Sequence, residues 1–330
     1  MSRSRNRRTF LKNSLVGAAA AAGATVTAAA GAVSMPPVVE KGMPMGRIGK
    51  LWVSRLFIGC NQVSGYAHAR DLRYVPGLMR AYQTDERVLD TWQLCEELGI
   101  NTVLSDPFER PVKLMARYRK ERGGRLQWLS EIHPAKPYHQ VSLADMKENL
   151  RQVVDNGADL IYVQGGIGDS FVMRKAVEDL GELLEDMKAT GLPSGIGAHS
   201  IETVKAVVAA GIRPDFFFKT YHSGDYWSAT PVDQRVEFNV DSGSPHDHDN
   251  IWCIKPEETR EVMGRLETPW IAFKVLAAGA LDPRKAFRFA FEGGADFICV
   301  GMFDFQLRED VQIARETLAA DLARQRPWRA

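Results

Sequence analysis

Only four cysteines occur among 330 residues, at Cys60, Cys95, Cys253 and Cys299, and no two form a Cys-x-x-Cys pair. That excludes a zinc ribbon, a dithiol redox motif and a dense disulfide framework. Cys60 and Cys299 fall in apolar, strand-like runs and read as small core residues. No Gly-rich G-x-G-x-x-G turn follows the first strand, which argues against an open, doubly wound sheet. No basic stripe with interleaved aromatics runs along the chain, so nucleic acid is not an expected partner. Long apolar runs are also missing. The one candidate, Ser14 to Ala30, is too short and too rich in Ala and Gly to be a permanent membrane span.

Acids are absent from the first 32 residues, which instead carry Arg3, Arg5, Arg7, Arg8 and Lys12. The run NRRTFLK, Asn6 to Lys12, resembles a twin-arginine translocation signal. Its residue before Arg7 departs from the usual Ser or Thr. Small residues at Ala28-Ala29-Ala30 and Ala30-Gly31-Ala32 suit a signal peptidase cutting between 30 and 33. The resemblance implies a signal over 1–32, a partner in the twin-arginine export machinery, and a periplasmic or secreted protein. Removing five of the 42 Lys and Arg leaves 37 against 41 acids, so residues 33–330 carry a net charge of about −4. Their length suits one α/β barrel of about 250 residues or more, or two ordinary domains.

From residue 56 onward short apolar runs alternate with helical patterns. The runs are Leu56–Cys60, Thr102–Leu104, Gln127–Ile132, Leu160–Val163, Gly195–Ala198, Phe216–Phe218, Trp270–Phe273 and Phe297–Val300. Each is apolar over consecutive residues rather than alternating, as in parallel strands covered on both faces. Thr84-Asp85-Glu86 opens a helix with a cap and first-turn acids, and Gly99 stops it. Ser200 caps the fifth helix, and Asp282-Pro283 opens the seventh. NGADLIYV (156–163) and GGADFICV (293–300) repeat one helix-stop, turn and strand. Eight such units predict a single (β/α)8 barrel over 33–330. The connection after the sixth strand, 221–255, is out of proportion and holds Trp227 and Trp252. It reads as a lid over the mouth of the barrel.

MGRIGKLWVSRLFIGC (45–60) and DERVLDTWQLCEELGIN (85–101) resemble the opening hairpin and first helix of aldo-keto reductases. IGAHSIETV, FFFKTYH and WIAFKVLAAGAL sit where that family has its fifth, sixth and seventh strand motifs. The resemblance implies a TIM barrel and, as function, NADP(H)-linked carbonyl reduction by an Asp, Tyr, Lys and His tetrad. At those positions this chain has Leu104, Glu109, Glu131 and Gln164. Without a phenol and a lysine to acidify it, nothing there protonates a carbonyl oxygen as hydride arrives. A reductase with an altered tetrad therefore stands beside other chemistries.

Working residues of an α/β barrel sit at the C-terminal ends of its strands. Those ends hold Glu131 and His133, which share a face by the period-two rule, then Gln164, His199, Lys219, His222, Lys274 and Asp304. Glu131, His133, His199 and His222 are donor types that suit zinc, manganese or iron. Glu131, His199, Lys219 and Lys274 suit acid–base chemistry, and either lysine suits an imine with a carbonyl substrate. Gln164, Tyr221, Asp225, Trp227 and Asp304 make a polar and aromatic set fit for a carbohydrate-like molecule. GGIGDS (165–170) reads as a tight turn, and HDHDN (246–250) as part of the lid or a solvated loop. Three functions follow. One is an isomerase, epimerase or lyase working by proton transfer, with or without a divalent metal. The second is a nicotinamide-linked oxidoreductase, and the third a non-catalytic sugar-binding barrel.

Overall fold

A computed structural model describes residues 42–69, 72–235 and 253–330. The expected signal at 1–32 and the middle of the long connection, with Trp252 and His246 to Asn250, lie outside the described residues. The chain first makes a hairpin, β1 (Met45–Ile48) and β2 (Leu51–Ser54), turned at Gly49 with φ of 57°. Eight parallel strands follow and close on themselves: β3 (Leu56–Ile58), β4 (Thr102–Ser105), β5 (Gln127–Ile132), β6 (Leu160–Val163), β7 (Ser194–Ala198), β8 (Phe216–Thr220), β9 (Trp270–Phe273) and β10 (Phe297–Val300). β10 pairs with β3, so the barrel has no open edge. This is a (β/α)8 barrel.

The helices are α1 (Asn61–Ser64), α2 (Val75–Tyr82), α3 (Asp85–Glu97), α4 (Glu109–Glu121), α5 (Leu143–Asp155), α6 (Gly165–Met173), α7 (Val177–Ala189), α8 (Ile201–Ala209), α9 (Pro256–Gly264), α10 (Pro283–Glu292) and α11 (Asp304–Ala319). Their starts follow side-chain chemistry. The Thr84 hydroxyl accepts from the Arg87 amide, Ser142 and Asp145 form a reciprocal capping box, and Asp282 accepts from the Arg284 and Lys285 amides. No described helix is long and apolar enough to cross a membrane.

Pairing register sorts the strand residues into two faces. Leu104, Leu129 and Leu160 fall on one face with Phe57, Phe216, Phe218 and Cys299 and fill the barrel interior, where the rings of Phe57 and Phe297 lie 5.5 Å apart. β7 gives the interior almost nothing, because Gly195 and Gly197 occupy its inward positions. A Cβ on Gly195 would stand 2.4 Å from the Phe216 ring. Interior space that β7 leaves open is thus taken by phenylalanine from β8.

Beside the apolar hairpin, the opposite end of the barrel carries a buried charge cluster. Asp296, fully buried, accepts from Arg324 at 3.1 Å and Arg326 at 2.7 Å, and also from the Trp270 and Arg329 amides. The Trp328 ring stacks with the guanidiniums of Arg55 at 4.0 Å and Arg324 at 3.8 Å. Burial pulls both of these arginines down to about 10.

Candidate functional site at the mouth of the barrel

The C-terminal strand ends carry a continuous set of side chains around the inner wall. On β5, Glu131 points inward and accepts on both oxygens, from the Tyr162 hydroxyl at 2.8 Å and from the His133 ring Nδ1–H at 2.9 Å. Tyr162, its register partner on β6, packs its ring 4.6 Å from Phe218 of β8. Phe218 stacks on Phe273 of β9, again at 4.6 Å, and Phe273 meets the edge of His199 at 5.5 Å. A carboxylate and an imidazole two strands apart on the barrel wall are thus joined by a chain of three aromatic rings.

His199 is held by a buried acid. Asp169, in the first turns of α6, takes the His199 Nδ1–H and the His199 amide on one oxygen, both at 3.0 Å. Its other oxygen takes the Thr203 hydroxyl at 2.6 Å and the Ser200 amide. Since Asp169 only accepts, the neutral ring carries its proton on Nδ1 and its basic lone pair on Nε2. Burial lowers the His199 pKa, the bond to Asp169 opposes that, and the charges of Lys274 and Lys219 lower it again. The ring is therefore neutral near pH 7, in the state a general base requires.

Further acids and bases surround these two. Asp106, inward at the end of β4 and 2% exposed, accepts from Ser64 and from the Phe108 amide. Burial raises its pKa, the Ser64 bond opposes this, and the nearby charge of Glu131 raises it. Burial likewise pushes the Tyr162 phenol far up, Glu131 adding to it, so Tyr162 acts as a hydroxyl donor and not as a phenolate. Lys274 follows β9 in the left-handed region, with φ of 59°, and its ammonium donates to Nε2 of His68 at 3.0 Å. Gln164 caps α6 by accepting from the Gly166 and Ile167 amides, while its amide nitrogen reaches the Tyr138 hydroxyl at 3.4 Å. The Tyr138 ring lies so close to Gly166 that a Cβ there would come within 2.5 Å.

The structure thus gathers Glu131, His133, Gln164, His199 and Lys274, and separates the rest of the expected set. Lys219 alternates away from Phe218 to the helix side of the barrel, where its ammonium donates to the carbonyls of His199 at 2.6 Å and Thr220 at 2.9 Å. It is a brace under the His199 backbone. Tyr221 also points outward, stacked on Phe289 at 4.9 Å and edge-on to Trp270, because it lies two residues beyond Lys219 on the same face. His222 is buried in the turn after β8 and accepts from the Gly224 amide. Trp227, expected as an apolar anchor of the lid, is 99% exposed, and Asp225 beside it is also exposed. Asp304 binds the Tyr82 hydroxyl and Arg87, on the outer side of α2 and α3. The expected four-donor metal set does not assemble either. Among the described residues no three His, Cys, Asp or Glu side chains gather as a group able to hold a metal ion.

Tyr162, Asp106, Asp169 and His68 are the residues that reading strand ends missed. Tyr162 lies two positions before Gln164 on one strand, so the period of two could have pointed to it. Asp169 arrives from a helix, and nothing in its spacing pairs it with His199. No protein-family model and no curated protein sequence matches the chain. Solved structures do. A Pseudomonas aeruginosa protein described as an aldo-keto reductase superposes with a TM-score of 0.55 at 18% identity, over 83% of this chain and 94% of its own. An aldo-keto reductase from Bacillus halodurans does so with a TM-score of 0.52 at 13% identity, over 87% of this chain and all of its own. At such identities the likeness is one of fold: the chain is an aldo-keto-reductase-like TIM barrel.

Proposed function

We propose that the protein is an enzyme that moves protons on a small carbonyl or polyhydroxylated substrate, as an isomerase, epimerase or lyase does. One observation carries this reading. Two different acid–base couples, Glu131 with Tyr162 and His133, and His199 with Asp169, face one mouth along an aromatic chain. Phe273, part-exposed above the buried Tyr162 and Phe218, offers an apolar face to a sugar-like carbon skeleton, and the hydroxyl and carboxyl groups around it take the polar edge. Glu131 or neutral His199 removes a proton next to the carbonyl, and the other couple returns one. Lys274, close enough to depress both His68 and His199, stabilises negative charge that develops on the carbonyl oxygen. The twin-arginine-like start supports a periplasmic or secreted site of action.

A divalent metal and NADP(H) are both poorly accommodated. The donor types for a metal are present, but they are spent on one another in pairs. For a dinucleotide, three of the helix N-termini that could hold its phosphates are taken by the chain itself. Asp282 caps α10, Asp304 sits in the first turn of α11, and Gln164 caps α6. Incubation with ketoses and 2-oxo acids in deuterated water, followed by NMR, tests the proposal. Wild-type protein should exchange a carbon-bound hydrogen for deuterium, and Glu131→Gln should slow that exchange by about 10²–10⁴-fold. Unchanged exchange in Glu131→Gln rules out its role. Oxidation of NADPH by the wild-type protein with the same carbonyls would favour the reductase reading instead.

A further inference from the structure

The contact between Lys274 and His68 has three features that a purely structural contact does not need. Both are non-glycine residues in the left-handed region, with φ of 59° and 44°. Such backbone costs of order 1–3 kcal/mol per residue and persists where surrounding structure imposes it, commonly at working sites. Their side chains bond directly, Lys274 Nζ to His68 Nε2 at 3.0 Å. The lysine stem also lies along the aromatic chain, its Nζ 5.9 Å from the centre of the Phe273 ring. Two further strained positions, Ala277 and Ala278 with φ of 46° and 55°, follow in the same turn, so the segment presenting Lys274 is held away from its relaxed shape.

We propose that Lys274 is a nucleophile that condenses with the carbonyl carbon of a small ketone carrying a neighbouring hydroxyl or carboxyl, and that His68 is the base that takes its proton. This rests on reading the mouth as a proton-transfer site, and it adds a covalent step to that reading. A nucleophile and a base in hydrogen-bond contact are the required geometry. Burial, then the Lys274 charge and His199, hold the His68 imidazole well below its ordinary range, so it is neutral at rest and releases readily any proton it takes up. The ammonium gives a proton to His68 Nε2, and the amine lone pair forms the C–N bond. The carbonyl π electrons move to oxygen, which takes the proton back from His68 to give a carbinolamine. The carbinolamine nitrogen then gives up a second proton, relayed by His68 to that oxygen, which leaves as water while the nitrogen lone pair forms the C=N bond of a protonated imine. Glu131 or His199 then removes a proton from the adjacent carbon, made acidic by the imine. Ketone and ammonium are consumed, imine and water are formed, and no oxidant or reductant is involved.

Reductive trapping tests this on the full chain. Protein is incubated separately with pyruvate and with dihydroxyacetone, treated with sodium borohydride and digested for peptide mass spectrometry. The expected result is a peptide containing Lys274 heavier by the probe less one oxygen atom. That label should be lost in Lys274→Arg and reduced in His68→Gln, and surface lysines should stay unmodified. Absence of label at Lys274 with both ketones in the wild-type protein overturns the proposal, as does equal labelling of surface lysines. The deuterium exchange experiment separates the two readings. Exchange that persists in Lys274→Arg but fails in Glu131→Gln sinks the imine and keeps proton transfer, whereas no exchange in any form sinks both.

Discussion

At the scale of single residues, the site turns on who accepts from whom. Asp169 is a positioning residue, since it reaches the substrate side only through His199, whose tautomer it sets. In Asp169→Asn the carboxamide can present an N–H to Nδ1, which moves the ring proton to Nε2 and removes the base. Proton exchange should fall by about 10²–10⁴-fold, as in other His–acid couples deprived of their acid. The acid limb of the pH profile should also move to lower pH in whatever activity remains, because the Asp169 bond raises the His199 pKa. A profile that keeps its shape, with only the affinity altered, would make Asp169 a purely structural cap. Glu131 and His133 were legible in the sequence because two residues of one strand share a face. Lys219 and Tyr221 misled for the same reason read backwards: they share a face with each other, and Phe218, between Phe217 and Lys219, takes the inward one.

At the scale of elements, the eight apolar runs gave the barrel strands within one or two residues. Gln127–Ile132, Leu160–Val163, Trp270–Phe273 and Phe297–Val300 fall as read, while β8 extends to Thr220 and β3 stops at Ile58. Consecutive apolar residues report burial on both faces, and burial is what defines these strands. The connection after β8 was less legible, since an exposed tryptophan has the same letter as a buried anchor. Helix α11 contains a detail with a thermodynamic consequence. Asp310 faces the core, 4% exposed, and burial followed by the charge of Glu309 raises its carboxyl to about 6. The folded state therefore binds this proton more tightly than the unfolded chain, whose Asp titrates near about 4. Its contribution to stability is whole below about pH 4 and is lost as the pH rises through about 6. Asp310→Asn should accordingly gain on the wild type over that interval. Urea unfolding of both proteins between pH 4 and 7 checks it, and a difference that is flat with pH would discard this assignment.

At the scale of the whole molecule, the candidate site lies at one end of the barrel and a buried charge lock at the other. The lock is the Asp296 carboxylate under Arg324 and Arg326, with Trp328 between Arg55 and Arg324. Replacing Arg324 and Arg326 together by Met leaves a buried carboxylate without its cations. That should cost about 3–5 kcal/mol in denaturant unfolding, and adding Asp296→Asn should recover part of it. Equal stability of the double variant and the wild type would show that the cluster is decorative. Because the lock lies at the opposite end from Glu131 and His199, the destabilised protein should keep its exchange chemistry wherever it remains folded. The bare strand β7 has the converse effect. With no side chain at Gly195 the Phe216 ring packs directly on the strand, and at Gly197 the backbone of Val163 and Gly165 closes in instead. Phe218 sits between Tyr162 and Phe273, 4.6 Å from each, so trimming it to leucine is the shortest route to admitting a bulkier guest.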